Sequence, residues 1–207
     1  MTADDPFAPE PFFAFARPRL DPTPPGPERA RPINPERPLP RIKMRDAAVL
    51  IPIVARETAS VLFTRRTLTL RKHAGQIAFP GGAVDETDAD AAEAAKREAF
   101  EEVGLTGDKI ETIGFLDPYL VGTGYRITPV VAKVDPDHSL VLNPDEVDAA
   151  FEVPLAFLMT EANHRRGSRE FEGVRYHFYE MPYDEHYIWG VTAGIVRGLY
   201  ERLYRDP

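Results

Sequence analysis

The sequence predicts an α/β fold in which a mixed β-sheet carries a helix on each face. Two observations lead to this prediction. Several segments alternate apolar and polar side chains with a period of two, which is the pattern of strands. Two other segments, residues 90–103 and 190–203, show the periodicity of helices. Strands and helices in this order favour a sheet that is covered by helices on both faces.

The predicted strands begin after a proline-rich segment. Apolar side chains alternate from Ala47 to Ile53, and a polar turn at residues 56–58 separates this strand from a second one at residues 61–63. The same pattern predicts three later strands, at residues 110–116, 126–134 and 174–181. Two further segments are expected to form short helical turns, at residues 144–151 and 155–159.

The first predicted helix, residues 90–103, has signals at both ends. Thr87 or Asp88 is expected to cap its N-terminus, and Gly104 follows its last periodic residue as a stop signal. The second helix is expected to face the core with one stripe of side chains, formed by Trp189, Val191, Ile195 and Leu199.

The composition indicates one soluble domain with an appendage. The chain has 207 residues, of which 43% are hydrophobic and 28% charged. Its net charge of −8 argues against a surface that attracts nucleic acid or anionic lipid. The lack of cysteine excludes disulfides, thiolate metal sites and a cysteine nucleophile. No apolar run is long enough for a membrane helix and neither end carries a targeting signal, so we expect a cytoplasmic protein.

The N-terminal residues 1–43 are predicted to be an extended arm, followed by one domain over residues 44–207. Twelve of the 21 prolines lie in the first forty residues, and proline opposes both helices and central strands. A mobile tail is one interpretation of the arm. The alternative is that its aromatic residues dock on the domain or on a second subunit; they are Phe7, Phe12, Phe13 and Phe15.

Three glutamates share one face of the first predicted helix. At about 100° per residue, Glu98, Glu101 and Glu102 project as one patch near the C-terminal end. Like charges at this spacing repel by about 0.2–0.5 kcal/mol per pair, and the helix dipole adds a further cost. A solvated face relieved by Lys96 and Arg97 is one interpretation. A bound divalent cation, Mg²⁺ or Mn²⁺, is the compensation that clustered carboxylates favour.

A glycine turn precedes this helix in the segment Phe79-Pro80-Gly81-Gly82. Glycine permits close approach of the backbone to a ligand. A metal ion could therefore be held between a main-chain carbonyl of the turn and the carboxylates of the helix.

Residues 97–105 read Arg-Glu-Ala-Phe-Glu-Glu-Val-Gly-Leu. This segment resembles the second half of the signature of the Nudix hydrolases, in which the charged residues and the glycine stand at fixed spacing. The first half departs from the signature, because Asp88 replaces its glutamate and the loop from Asp88 to Arg97 is one residue longer. The resemblance covers residues 44 to 205 and implies the Nudix fold, an α/β/α sandwich with a mixed sheet.

By this resemblance, Glu98, Glu101 and Glu102 would bind one to three Mg²⁺ or Mn²⁺ ions, and the Gly82 carbonyl is a further candidate ligand. Arg97 would orient the glutamates by salt bridges. The implied reaction is hydrolysis of a diphosphate, in which the cations neutralise the phosphate oxygens and activate the attacking water.

The segment before the glycine turn is basic, with Arg65, Arg66, Arg71, Lys72 and His73. A solvated loop is one interpretation; a device for binding an anion beside the metal site is the other. The spacing resembles the signature of the coenzyme A pyrophosphatases of the Nudix family. This likeness implies cleavage of CoA, or of acyl or oxidised CoA, into adenosine 3′,5′-bisphosphate and 4′-phosphopantetheine or its acyl derivative. The expected substrate-binding residues are Arg66, Arg71, Gly75, Phe79 and Gly81.

The sequence does not decide which residue is the general base. Glu98 or Glu102 could activate water, and Glu146 is a further candidate, although a helix N-terminal role explains Glu146 equally well. Other substrates are also possible, such as ADP-ribose, NADH or a nucleoside triphosphate, as is a Nudix module that binds without catalysis. The expected partner is a small molecule, with no nucleic acid and no membrane, and the protein is expected to be a monomer or a homodimer.

Overall fold

The structure is a computed structural model, and it describes residues 5–36, 38–70, 73–171 and 173–205. The helices are α1 (Pro9–Ala16), α2 (Ala91–Val103), α3 (Leu155–Leu158) and α4 (Gly190–Tyr204). The first strands are β1 (Arg31–Pro32), β2 (Arg45–Val54), β3 (Ser60–Arg66), β4 (Ile77–Ala78), β5 (Gly81–Ala83) and β6 (Ile110–Phe115). The later strands are β7 (Tyr119–Val121), β8 (Tyr125–Val134), β9 (Val147–Pro154), β10 (Arg165–Phe171), β11 (Val174–Tyr183) and β12 (His186–Trp189).

Strand β2 lies at the centre of a mixed sheet. It runs parallel to β8 and antiparallel to β3 and β5. The sheet continues in the order β1-β7-β8-β2-β3-β4, with β6 paired to β8 and β9 paired to β3. Strands β10, β11 and β12 form a separate antiparallel sheet of three strands.

Alternate residues of β2 enter two different hydrophobic cores. Leu50 and Val54 pack with helix α2 on one face of the sheet, whereas Ile51 and Ile53 pack with helices α1 and α4 on the other. Such alternation is the expected consequence of the two-residue period of a strand that is buried on both faces. The predicted α/β fold with a helix on each face of a mixed sheet is therefore confirmed.

The prediction that the proline-rich segment contains no helix is wrong. Residues 9–16 form helix α1, in which Pro9 and Pro11 occupy the first turn. The backbone amides of a first turn have no partner within the helix, so proline is tolerated there. Phe12 and Phe13 are buried in the core, so part of the segment docks on the domain. The division of the chain at residue 43 remains a prediction.

Two expectations about the helices are corrected by the structure. Asp90, not Thr87 or Asp88, caps α2, because its Oδ1 accepts hydrogen bonds from the amides of Ala92 and Glu93 at 2.7 and 3.0 Å. Trp189 and Val191 are partly exposed, whereas Ile195 and Leu199 of the expected stripe are buried.

A helical turn was expected over residues 144–151. Residues 144–146 do form a turn, in which the amide of Val147 donates to the carbonyl of Asn143 at 2.8 Å, but residues 147–151 belong to strand β9, which pairs with β3 in the central sheet. The short helix expected at 155–159 is present as α3. Strands β10 and β12 were not predicted. None of the helices in the described residues is of a length and apolarity that would let it cross a membrane.

Candidate active site

The glycine turn brings the backbone of β5 into close contact with both β2 and helix α2. A Cβ atom at Gly81 would overlap the backbone of Ala48 and Val49, and one at Gly82 would overlap the carboxylate of Glu98. Only glycine fits at either position without movement of its neighbours. The Glu98 carboxylate therefore lies directly against the Gly82 backbone.

The packing of helix α2 on the sheet determines how deeply each acidic side chain is buried. Its alanine stripe, which includes Ala95 and Ala99, is buried against the sheet. The helix ends at Gly104, whose φ of 70° is the left-handed conformation that favours glycine. Glu102 borders the buried stripe and its side chain is 4% exposed, whereas the side chain of Glu101 is 52% exposed.

Arg97 ties the acidic residues to the loop before the helix. Its Nη1 donates to Glu98 Oε1 at 2.9 Å and to Glu101 Oε2 at 3.2 Å, and its Nη2 donates to the carbonyl of Ala83 at 3.0 Å. The same guanidinium binds both oxygens of Asp88, whose side chain is 6% exposed. Asp88 thus anchors Arg97, a role that the longer loop had left in doubt.

Burial dominates the electrostatics of the two inner glutamates. The pKa of Glu102 is raised to about 8, chiefly by desolvation; the positive charge of Arg66 opposes this rise, and the negative charges of Glu146 and Glu98 add to it. Burial likewise raises the pKa of Glu98, with Arg97 opposing it and Glu101 and Glu146 adding to it. The negative charge of Glu146 therefore acts on both inner glutamates, and that of Glu98 acts on Glu102.

Arg66 approaches this site from the end of β3. Its Nη1 lies 4.0 Å from Glu102 Oε1, and its Nε is buried without a hydrogen-bond partner among the described residues. The backbone amide of Thr67 donates to the carbonyl of Glu146 at 2.9 Å, which fixes the Glu146 loop beside Arg66. A donor that is both buried and unpartnered is costly, so a ligand oxygen is a natural partner for Arg66.

The loop from β3 to β4 closes on the backbone of Arg66. The amide of Gly75 donates to the Arg66 carbonyl at 3.0 Å, and the φ of Gly75 is 68°. His73 also has a left-handed φ of 58°, and its Nδ1 lies 2.9 Å from Gln76 Oε1. Gly75 is therefore explained by the turn. Arg71 and Lys72 lie outside the described residues.

The structure does not bring the side chain of Phe79 to the site. Its ring is 4% exposed and stacks on Phe63 at a centroid distance of 4.8 Å, within the core that contains α4. The expectation that Phe79 contacts substrate is corrected to a packing role, because an aromatic ring gains more from this core than from a solvated loop. Gly81, the other apolar candidate, serves the close approach to β2.

The donors at the site fit a hard divalent cation. They are carboxylate oxygens with a backbone carbonyl nearby, which is the chemistry that Mg²⁺ and Mn²⁺ favour. The carboxylate of Glu102 is buried, and its negative charge is offset by Arg66, whose Nη1 lies 4.0 Å away, and by a hydrogen bond from the backbone of Gly81. Across the described ranges, no three acidic or histidine side chains form a closed metal site as they stand. Glu101 in particular is turned to Arg97.

Sequence reasoning underestimated Asp88. The available signal was its position: an acidic residue in the loop before the charged helix, with Arg97 as a basic residue at the helix surface. What hid this role was the aspartate in place of the glutamate of the signature, together with the longer loop, which left the position of residue 88 relative to Arg97 undetermined.

Comparisons of the sequence and of the structure with known proteins point to the same family. A family model described as the NUDIX domain matches residues 44–173. The uncharacterized Nudix hydrolase NudL of Escherichia coli strain K12 is 45% identical over 163 residues, which cover 79% of this chain and 85% of that protein. NudL of Shigella boydii serotype 18 has the same identity and coverage. The crystal structure of DR0079 from Deinococcus radiodurans has a TM-score of 0.50 at 16% identity, covering 82% of this chain and 90% of that chain.

Proposed function

Because the chain belongs to the Nudix hydrolase family, whose members are pyrophosphatases, we propose that its substrate is coenzyme A or an acyl or oxidised derivative. The products would be adenosine 3′,5′-bisphosphate and 4′-phosphopantetheine or its acyl derivative. Mg²⁺ or Mn²⁺ is the proposed cofactor.

One observation carries the choice of substrate. The basic segment from Leu62 to Gly82 has the spacing of the coenzyme A pyrophosphatase signature. Its Arg66 has Nη1 4.0 Å from Glu102 Oε1 and a buried Nε that finds no hydrogen-bond partner among the described residues. A guanidinium in this position suits the oxygens of a diphosphate. Arg71, the second proposed phosphate contact, belongs to the same signature.

The proposed metal ligands are Glu98, Glu101, Glu102 and the Gly82 carbonyl. A divalent cation held there would neutralise the charge of the diphosphate oxygens and lower the pKa of the attacking water. Arg97 keeps Glu98 in place through its 2.9 Å hydrogen bond, and Asp88 keeps Arg97 in place.

The reaction is hydrolysis of one phosphoanhydride. The oxygen of water forms a bond to one phosphorus, the bond from that phosphorus to the bridging oxygen breaks, and the bridging oxygen leaves with the second phosphate. A carboxylate accepts the proton of the water. Glu98, Glu102 and Glu146 are the candidates, since the charge of Glu146 acts on both of the other two carboxyl groups. Arg66 would hold a substrate oxygen during attack and so limit rotation of the diphosphate.

Chromatography of the reaction products tests this proposal. The purified protein is incubated separately with CoA, ADP-ribose, NADH and dGTP, each with Mg²⁺, with Mn²⁺ or with EDTA. Hydrolysis of CoA alone among the four compounds, with adenosine 3′,5′-bisphosphate as one product and no reaction in EDTA, is the expected result.

Two other results would each reject a different part of the proposal. Preference for ADP-ribose, NADH or dGTP would retain the acidic site but reject coenzyme A as the substrate. Turnover of none of the four with either metal would favour the alternative of a binding module without catalysis.

A further inference from the structure

The three-stranded sheet has one buried face and one open face. Met181 and Ile188 are fully buried on the face that packs against the core. Because side chains alternate along a strand, the neighbours of these residues project from the opposite face. We call this surface the outer face; the residues that define it are Arg165, Arg169, Phe178, Glu180, Tyr187 and Trp189.

Aromatic rings form the middle of the outer face. The rings of Phe178 and Trp189 meet edge to face at a centroid distance of 5.5 Å, and Tyr187 lies 6.3 Å from Trp189. The guanidinium of Arg169 covers the Trp189 ring at 4.4 Å. Phe178 and Trp189 are partly exposed and Tyr187 is 41% exposed, so a continuous aromatic surface faces solvent.

Charges of both signs flank these rings. Arg165 stands opposite Glu180 in the cross-strand register. Within the described part of the chain, none of Arg165, Arg169 and Glu180 takes part in an ion pair, although Glu180 accepts a hydrogen bond from Tyr187. Tryptophan, tyrosine and arginine are the residues that dominate the energetics of protein interfaces.

We propose that the outer face is the surface through which two copies of this chain associate about a two-fold axis. A two-fold axis places the same surface on both sides of the contact, so each side must complement itself. The outer face meets this condition, because it carries both Arg165 and Arg169 and the acidic Glu180 beside its aromatic rings, so arginines of one copy would pair with Glu180 of the other while the rings pack together. This inference is independent of the proposed substrate.

Two other modes of association fit the surface less well. Pairing of two β10 edges would bring the arginines at 165, 166 and 169 of one copy close to those of the other, and like charges protect an edge strand against such pairing. Binding of single-stranded nucleic acid would use the rings for stacking. It is opposed by Glu180 within the face and by the net charge of −8.

Light scattering during size-exclusion chromatography tests the proposal on the full chain over a wide range of concentration. We expect the wild type to reach twice its 23.2 kDa chain mass. Arg169→Glu should raise the dimer dissociation constant by at least about tenfold. Arg175→Glu is the matched control, because it makes the same charge change at an exposed position of the same hairpin with the opposite side-chain alternation, and it should remain dimeric.

A second variant and a spectroscopic signal guard against misfolding. Tyr187→Ala should also weaken the dimer, and circular dichroism establishes that each variant is folded. Trp189 is the single tryptophan, so tryptophan fluorescence reports on the outer face. Its emission should shift to shorter wavelength when two chains associate and shift back when the sample is diluted.

Three results would overturn the proposal. One is a wild type that stays monomeric at every concentration, and another is a dimer that neither Arg169→Glu nor Tyr187→Ala weakens. The third is a monomer whose Trp189 emission is quenched by a single-stranded oligonucleotide, which would assign the outer face to nucleic acid.

Discussion

Arg97 binds both carboxylate oxygens of Asp88, with Nε 3.1 Å from Oδ1 and Nη2 3.0 Å from Oδ2. This pairing lowers the pKa of Asp88 and leaves Nη1 of the same guanidinium for Glu98 and Glu101. One basic side chain thus joins the loop before helix α2 to the acidic face of that helix. The position of Glu98 therefore depends on Asp88, which binds the guanidinium of Arg97 and not Glu98 itself.

Asp88→Asn should weaken activity by releasing Arg97. The amide keeps the size of the side chain but loses the charge, so Arg97 is free to move from Glu98. Loss of such a supporting partner costs about 10–100-fold in metal affinity or activity. Titration with Mn²⁺ followed by electron paramagnetic resonance measures the affinity directly.

The control for this prediction is Asp85→Asn. Asp85 lies 3.8 Å from the same guanidinium, but its side chain is 63% exposed, so its contribution is screened by solvent. Mn²⁺ affinity should stay close to that of the wild type. Equal losses in the two variants would show that Asp88 has no special part in holding Arg97.

Glu101→Gln and Glu102→Gln should leave the fold intact and lower turnover by at least about two orders of magnitude. The reason is that each removes a negative oxygen that the proposed metal site requires. The measurements are circular dichroism for the fold and initial rates with Mg²⁺ for turnover. Rates like those of the wild type in both variants would refute the assignment of these glutamates.

Glu102 should make the metal-free protein less stable as the pH rises. Its pKa of about 8 in the fold lies above the ordinary value of 4.5, so the folded chain keeps a proton that the unfolded chain releases. The stabilisation by this proton is complete below about pH 4.5, declines between pH 4.5 and 8, and is absent above that window.

Thermal unfolding in EDTA from pH 5.5 to 8 measures this effect. In Glu102→Gln the group cannot titrate, so the variant should gain stability over the wild type progressively as the pH rises. A difference that does not change with pH would count against a raised pKa at Glu102. Mg²⁺ should reduce the difference, since it replaces the proton at the carboxylate.

Arg66→Ala should raise KM for CoA by about tenfold or more, because a charge-assisted hydrogen bond to phosphate is lost. Arg65→Ala is the matched control. Arg65 is the neighbouring residue, but it is paired with Asp148 at the surface with an Nε to Oδ1 distance of 2.6 Å. Steady-state kinetics should show an unchanged KM for the control, and an unchanged KM for Arg66→Ala would remove Arg66 from the substrate contacts.

Local signals were sufficient to predict the helix and the turn that form the site. The acidic helix was expected over residues 90–103 and is present over Ala91–Val103, because its alanine stripe and Gly104 are properties of the segment itself. The same holds for the glycine turn. The neighbourhood of Arg66, Glu102 and Glu146 was less visible, since it arises only when β3 and the segment before β9 meet.

The incorrect predictions concern segments whose structure is decided by their partners. The acidic start and alanines of residues 144–151 favour a helix locally, but pairing with β3 makes residues 147–151 part of a strand, with a register shift where Arg65 pairs with Ala149 and Arg66 with Val147. Helix α1 exists because Phe12 and Phe13 are buried, although its sequence is rich in proline. Phe79 was assigned to the substrate by its motif, and its burial became visible only with the position of Phe63.

The most direct test of the central claim is a competition between CoA and ADP-ribose. Equal concentrations of both are incubated with the enzyme and Mn²⁺, alongside Glu102→Gln and a sample with EDTA, and all products are separated by chromatography. We predict that the wild type converts CoA to adenosine 3′,5′-bisphosphate and 4′-phosphopantetheine while ADP-ribose persists, and that both controls are inactive. Consumption of ADP-ribose before CoA, or turnover by Glu102→Gln at the wild-type rate, would contradict the account.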